Sequence, residues 1–155
     1  MAHYAFIDTD NIVVEVITGK DETDTETLPE GFDSWEEYYE TQRDSLVCKR
    51  TSYNTISNTH NNDGTPFRGN YAGIGFIFDE TNDVFYPVAP YPSWNISEDT
   101  NWIWKSPVEY PSDANDEMDT SLPHKSYEWN EESENWELLH TTIYNSETEE
   151  WELQE

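Results

Sequence analysis

Carboxylates are the commonest reactive groups in this chain, and their spacing decides what chemistry they could do. Adjacent pairs stand at Glu36/Glu37, Glu131/Glu132 and Glu149/Glu150. Hydrolysis of a glycosidic bond needs two carboxyl groups facing each other across a cleft, in environments that push their pKa values apart. Sequence neighbours within an acidic run share one environment, so these pairs read as solvated faces. His3, His60, His124 and His140 are scattered and lack the spacing of zinc ligands, and Cys48 is the only thiol that could join them. A Cys48/His60 nucleophile pair has no neighbouring group to orient it. Cys48 therefore reads as a small buried hydrophobe, and its being alone excludes an internal disulfide framework.

Two loops invite a ligand reading and fail it. Gly69…Gly73-Ile74-Gly75 lacks the order of a phosphate cradle and the Lys-Ser/Thr that would follow one. Its glycines suit a bulge or a close backbone approach in a strand. Asn61-Asn62-Asp63-Gly64 lacks the alternating acidic ligands and closing Glu of a calcium loop. The stretch Ser-Asp-Ala-Asn-Asp-Glu-Met-Asp at 112–119 has oxygens enough for a loose calcium or magnesium site, but its default reading is a flexible acidic linker. No catalytic, metal or cofactor site is expected, and the chain reads as a scaffold or binding module.

The elements that position these groups follow from a local pattern that occurs five times. An apolar residue is followed by Asp, Asn or Ser, then three positions on by Asn, Thr or Ser, then by a second apolar residue seven after the first. The copies are Ile7-Asp8…Asn11…Val14, Phe78-Asp79…Asn82…Phe85, Ile96-Ser97…Thr100…Ile103, Trp129-Asn130…Ser133…Trp136 and Tyr144-Asn145…Thr148…Trp151. That separation sets two apolar residues opposite each other across a short β-hairpin, while the polar residues between bond to the turn backbone. Alternation then places Trp102 and Trp104 on the face opposite Ile103, where they could pack on a partner.

The expected fold is mainly β: repeated hairpins forming a small antiparallel sheet or sandwich, with one short helix near 34–42. Tyr4–Ile7 and Val13–Ile17 read as the first strands. Ser34-Trp35-Glu36-Glu37 matches a capping box, and Trp35, Tyr38, Tyr39 and Gln42 give a helical face. Residues 46–55 read as a strand, 57–66 as a long turn-rich loop and 67–78 as a glycine-punctuated strand. Pro87, Pro90 and Pro92 make an extended connector. The expected division is a main β domain at 1–111, a flexible acidic linker at 112–126 and a hairpin appendage at 127–155, its hairpins at about 127–139 and 142–153.

Seven basic residues oppose 34 acidic ones, a net charge of −27 over 155 residues, and mean hydropathy is −0.93. Such values often accompany disorder, but 7 Trp, 10 Tyr and 6 Phe supply apolar area for a core. The charge argues against binding nucleic acid or an anionic membrane, because each phosphate contact must overcome a repulsive field. It fits a solubilising surface, a basic partner or a saline setting that shortens the Debye length. No apolar run has the length of a signal peptide or membrane span, so synthesis and folding in a cytoplasm are expected. Residues 111–155 carry fourteen acidic groups against Lys125, a balance of −13, whereas 43–75 carries Arg43, Lys49, Arg50 and Arg68 against Asp44 and Asp63, a balance of +2.

The segments Met1-Ala2-His3-Tyr4-Ala5-Phe6-Ile7, Cys48-Lys49-Arg50-Thr51-Ser52-Tyr53-Asn54-Thr55, Phe67-Arg68-Gly69-Asn70-Tyr71-Ala72-Gly73-Ile74-Gly75 and Pro90-Tyr91-Pro92-Ser93-Trp94 resemble small acidic proteins encoded by marine tailed bacteriophages, notably cyanophages. The resemblance spans roughly 1–111, and a Trp-clasped hairpin such as 127–138 often closes the chain. Residues 142–153 look like an extra copy. The family carries no known catalytic residues, so none transfers. The resemblance implies a phage product made in bacterial cytoplasm and destined for the virion.

Three functions follow as expectations. The first is a capsid decoration or other head-surface protein that docks on phage structural proteins, the major capsid protein above all, through Lys49, Arg50 and Arg68. The second is a tail, neck or fibre component whose terminal hairpins self-associate or bind a receptor through Trp129, Trp136, Tyr144 and Trp151. The third is an acidic DNA mimic or host-protein inhibitor.

Overall fold

The computed structural model describes residues 2–115 and 119–154. The fold is mainly β, with four small antiparallel sheets and one short α-helix among the described residues. The chain forms two compact units, Met1–Ala89 with Ile96–Trp104, and Pro90–Asn95 with Lys105–Glu155.

In the first unit β1 (Ala2–Ile7) lies between β2 (Val13–Gly19) and β3 (Val47–Thr51). β1 is apolar on both sides because both its faces are covered. Ala5 and Ile7 pack with Val13, Ala72, Phe78 and Phe85, while Tyr4 and Phe6 pack with Trp35 and Cys48. The helix α1 (Trp35–Glu40) closes the second side. Ser34 caps it by accepting the Glu37 amide at 3.1 Å, and the Glu37 carboxylate reaches back to the Asp33 amide at 2.8 Å, one residue before the cap.

The first turn forms as expected, but its clasp does not. Asp8 Oδ1 accepts the amides of Asp10 and Ile12, and Asn11 takes φ +63°. A register shift between Phe6 and Ile7 sets Ile7 opposite Val13, not Val14. The cause is long-range. Val13 donates to the Phe76 carbonyl and accepts from the Gly75 amide, which draws it into the core and leaves Val14 40 % exposed.

Residues 67–78 are not one strand. Gly75 at φ +87° interrupts them, and only Ile77–Asp79 (β6) pairs, with Val84–Tyr86 (β7). There the expected clasp holds: Phe78 faces Phe85 with ring centroids 4.9 Å apart, over a turn in which Asp79 Oδ1 accepts the Thr81 and Asn82 amides. The segment read as a long loop contains a small hairpin, β4 (Thr55–Ile56) and β5 (Thr59–His60). Ser57 and Asn58 join them at φ +52° and +53°, as the mirror-image turns favoured by β-twist require.

The third copy of the pattern forms no paired strands beyond the single antiparallel bridge of Asn95 with Lys105. Residues Glu98–Thr100 form a turn of 3-10 helix in which the Thr100 hydroxyl accepts the Ser97 amide at 3.0 Å and donates to the Ser97 carbonyl at 2.9 Å. Asn101 and Trp102 then both take positive φ, which turns Trp102 inward and leaves Ile103 38 % exposed.

The second unit is a three-stranded meander in the order β10-β9-β8, formed by β8 (His124–Asn130), β9 (Asn135–Asn145) and β10 (Glu150–Leu153). The two expected terminal hairpins are thus one sheet sharing β9. Trp129 pairs with Trp136 and Tyr144 with Trp151, as the pattern requires. Asn130 and Asn145 make the same turn, each accepting two backbone amides.

The two compact units divide the chain at other places than the expected boundaries of 111 and 126. Residues 90–95 and 105–111 belong with the second unit. The acidic stretch is tied down where it is described: Asp113 pairs with Lys125 and accepts the Tyr127 hydroxyl at 2.9 Å, and Asn115 donates to the Pro123 carbonyl at 2.8 Å. Asp116, Glu117 and Met118, part of the conceivable cation site, lie outside the described residues.

Candidate functional site

β3 is an edge strand, and α1 lies along its open side. The outward amide of Cys48 donates to Glu40 Oε2 at 3.0 Å, and that of Arg50 to Glu36 Oε1 at 2.6 Å. Four residues of helix rise about 6 Å and two residues of strand about 6.6 Å, so carboxylates spaced i, i+4 match amides spaced i, i+2. The edge is therefore blocked by side chains rather than by another strand.

Of the three basic residues proposed as docking anchors, Arg68 is internal. Its side chain is 11 % exposed and pairs with Glu36, and Nη1 also donates to the Arg50 carbonyl at 2.8 Å. Its Nε lies 2.8 Å from Asp83 Oδ1, an ion pair whose angle falls outside hydrogen-bond geometry. Arg68 is a strut joining α1, β3 and β7, and this corrects its reading as a surface anchor. Lys49 and Arg50 are half-buried and make no ion pair among the described residues. They point to opposite faces: Lys49 lies 5.9 Å from the Phe78 ring centre, and Arg50 stacks 4.2 Å over Phe67.

Trp102 and Trp104 do not form an outward pair. Trp102 is buried, with its ring parallel to Tyr86, and its carbonyl accepts from the Asn70 side-chain Nδ2 at 3.1 Å. Gly69, at φ +70°, makes room for it, since a Cβ there would lie 2.9 Å from Trp102 Cδ1. Trp104 meets Tyr86 edge-on and donates Nε1–H to the Pro87 carbonyl at 2.7 Å.

Trp129 is likewise core, and Trp136 is half-buried against it, so the pair is not a free appendage surface. Trp129 is 4 % exposed, and Tyr91, Trp94 and Tyr110 pack around the pair. Glu131 organises this cluster by accepting Trp129 Nε1–H at 2.9 Å and both the amide and hydroxyl of Ser93. Burial alone would raise the Glu131 pKa, but these donors outweigh it and hold the carboxyl below its ordinary value.

Tyr144 and Trp151 differ. Leu139 is an unpaired extra residue on β9, because Ser126 faces His140 while Tyr127 faces Leu138. The bulge reverses the alternation, so the Tyr144–Trp151 clasp lies on the face opposite Trp129–Trp136, beside His124 at 6.2 Å. Both rings are half-buried.

The thiol of Cys48 is buried, and that burial, reinforced by the charges of Glu36, Glu40 and Glu22, pushes its pKa up to about 12. Such a thiol is a poor nucleophile. Among the described residues no group of three His, Cys, Asp or Glu side chains could hold a metal, and no helix is long and apolar enough to cross a membrane. No protein-family model matches the chain, and neither a curated protein nor a solved structure matches it.

Proposed function

We propose that the protein is a non-enzymatic structural component of a tailed-phage virion, seated on the head surface as a capsid decoration or accessory protein. The reading rests on the ordered segments that resemble the marine phage family. One structural observation supports it: several of the groups that could do chemistry are committed to holding the fold. Glu36 and Glu40 cap the β3 edge, Glu131 ties the aromatic cluster together and Cys48 is buried. On this reading Lys49 faces the partner, the major capsid protein, because Arg50 points to the opposite face of β3 and Arg68 is internal.

Mass spectrometry of purified particles tests the proposal. Presence at a copy number comparable with the major capsid protein is the expected result, and absence from the particle overturns it. A tail, neck or fibre position is the second reading. It is favoured by the half-exposed Tyr144–Trp151 clasp, which the bulge turns away from the buried aromatic cluster, and a low copy number would select it.

A further inference from the structure

We propose that the first unit carries a binding site for an aromatic monocarboxylate at the end of the β1–β3 ladder. A cavity of about 390 Å³ opens there, lined by His3, Arg50, Ser52, Tyr53 and Phe67 with Asp21 at its side. Its size falls within the range of small-molecule sites. His3 and Thr51 are the last paired residues of the ladder, and Tyr53 follows two residues on, so the strand end itself shapes the cavity.

Three observations define the ligand. First, Arg50, like Lys49 and Lys105, has no carboxylate partner among the described residues, whereas Lys20, Arg43, Arg68 and Lys125 each have one. Its guanidinium carbon lies 4.2 Å from the centre of the Phe67 ring, and a guanidinium offers several N–H donors that suit a carboxylate. Second, the His3 ring is held edge-on between Tyr53 and Tyr71 at 5.3 and 5.5 Å, which fixes Tyr53 at the cavity wall. Third, Tyr53 is 56 % exposed and offers a flat wall on which a second ring can pack.

Inorganic phosphate has no ring to pack on Tyr53, so a carboxylate joined to an aromatic ring is the class that uses both contacts. The carboxylate would sit on Arg50 and the ring against Tyr53. The source is either a free small aromatic acid or the C-terminal carboxylate of a chain ending in an aromatic residue. The site stands independently of a virion role.

The test is titration of the intact chain, followed by NMR, with benzoate, N-acetylphenylalanine, N-acetylphenylalanine amide and inorganic phosphate. Saturable shifts at His3, Arg50 and Tyr53 are expected with the two carboxylates and not with the amide or phosphate. Tighter binding of N-acetylphenylalanine identifies a chain terminus as the source, and tighter binding of benzoate a free acid. Arg50→Gln should weaken binding by about tenfold or more, the usual scale for a lost charged hydrogen bond, while Lys49→Gln should leave it unchanged. Absence of saturation, equal binding of acid and amide, or full affinity in a folded Arg50→Gln variant overturns the proposal. If Arg50→Gln does not fold, the acid–amide comparison on the unaltered chain decides alone.

Discussion

Individual side chains here divide by whether their charge is used inside the fold. Arg68 is so used, and Arg68→Ala should cost about 2–4 kcal/mol because it strands Glu36 in a largely covered position. Lys49→Ala should stay within about 0.5 kcal/mol, as for a side chain without an ion pair. Denaturant unfolding measures both, and equal effects would refute the strut assignment. Cys48 gives a pH dependence whose sign can be stated. Its folded pKa, about 12, lies above the ordinary 9.0, so the folded state keeps a proton that the unfolded chain releases. Its contribution is complete below pH 9.0 and is lost as pH rises through the window up to about 12. Tyr4, raised by burial and by its bond to Glu22, adds to the loss at higher pH. The unfolding midpoint should therefore fall on alkaline titration. Native Cys48 should resist a thiol reagent at neutral pH and react on unfolding, and fast labelling of the native protein would contradict the burial.

At the scale of elements, hairpins with one sequence pattern differ in what covers them. Trp129 is enclosed by rings from residues 91, 94 and 136, whereas Trp151 meets Tyr144 and His124. Trp129→Ala should cost about 3–5 kcal/mol and unfold the second unit, the usual range for a fully buried Trp. Trp151→Ala should cost about 1–2 kcal/mol and free β10 alone, which amide exchange of β9 and β10 will separate. In the small hairpin of β4 and β5, Asn58→Gly should stabilise by a few tenths to about 1 kcal/mol, because glycine adopts the +53° φ of that position without steric cost. A loss of stability there would mean the Asn58 side chain does more than tolerate the turn.

For the whole molecule, a net charge of −27 dominates. The ion pairs among the described residues are mostly surface-exposed and contribute little, so self-repulsion is the larger electrostatic term. Raising salt from about 20 mM to about 500 mM shortens the Debye length from roughly 20 Å to roughly 4 Å and should raise the melting temperature by several degrees. A fall would show that the ion pairs outweigh the repulsion. The same field should keep the second unit from self-associating at low salt, which sedimentation across that range will measure.

What the sequence by itself determined is local. The β class, the cap at Ser34, and the turns at Asp8, Asp79, Asn130 and Asn145 were legible because each rests on side chain–backbone bonds within four residues. Three of the five clasps followed directly from those turns. The carbonyl and amide of Val13 are claimed by Gly75 and Phe76, and that distant pairing displaced Val14 from the clasp. Trp102 was taken inward by Tyr86 and the space at Gly69, and no spacing rule carries such information. Arg68 looked like a surface cation until Glu36 and Asp83, far from it in sequence, were brought beside it. The cavity beside Arg50 was not legible either, since His3, Tyr53 and Phe67 converge only when β1 and β3 pair. A single bulged residue, Leu139, sends two identical-looking aromatic pairs to opposite faces, because strand alternation has a period of two and one extra residue inverts it. Short-range bonding chose the turns, and long-range pairing chose which side of each strand became core.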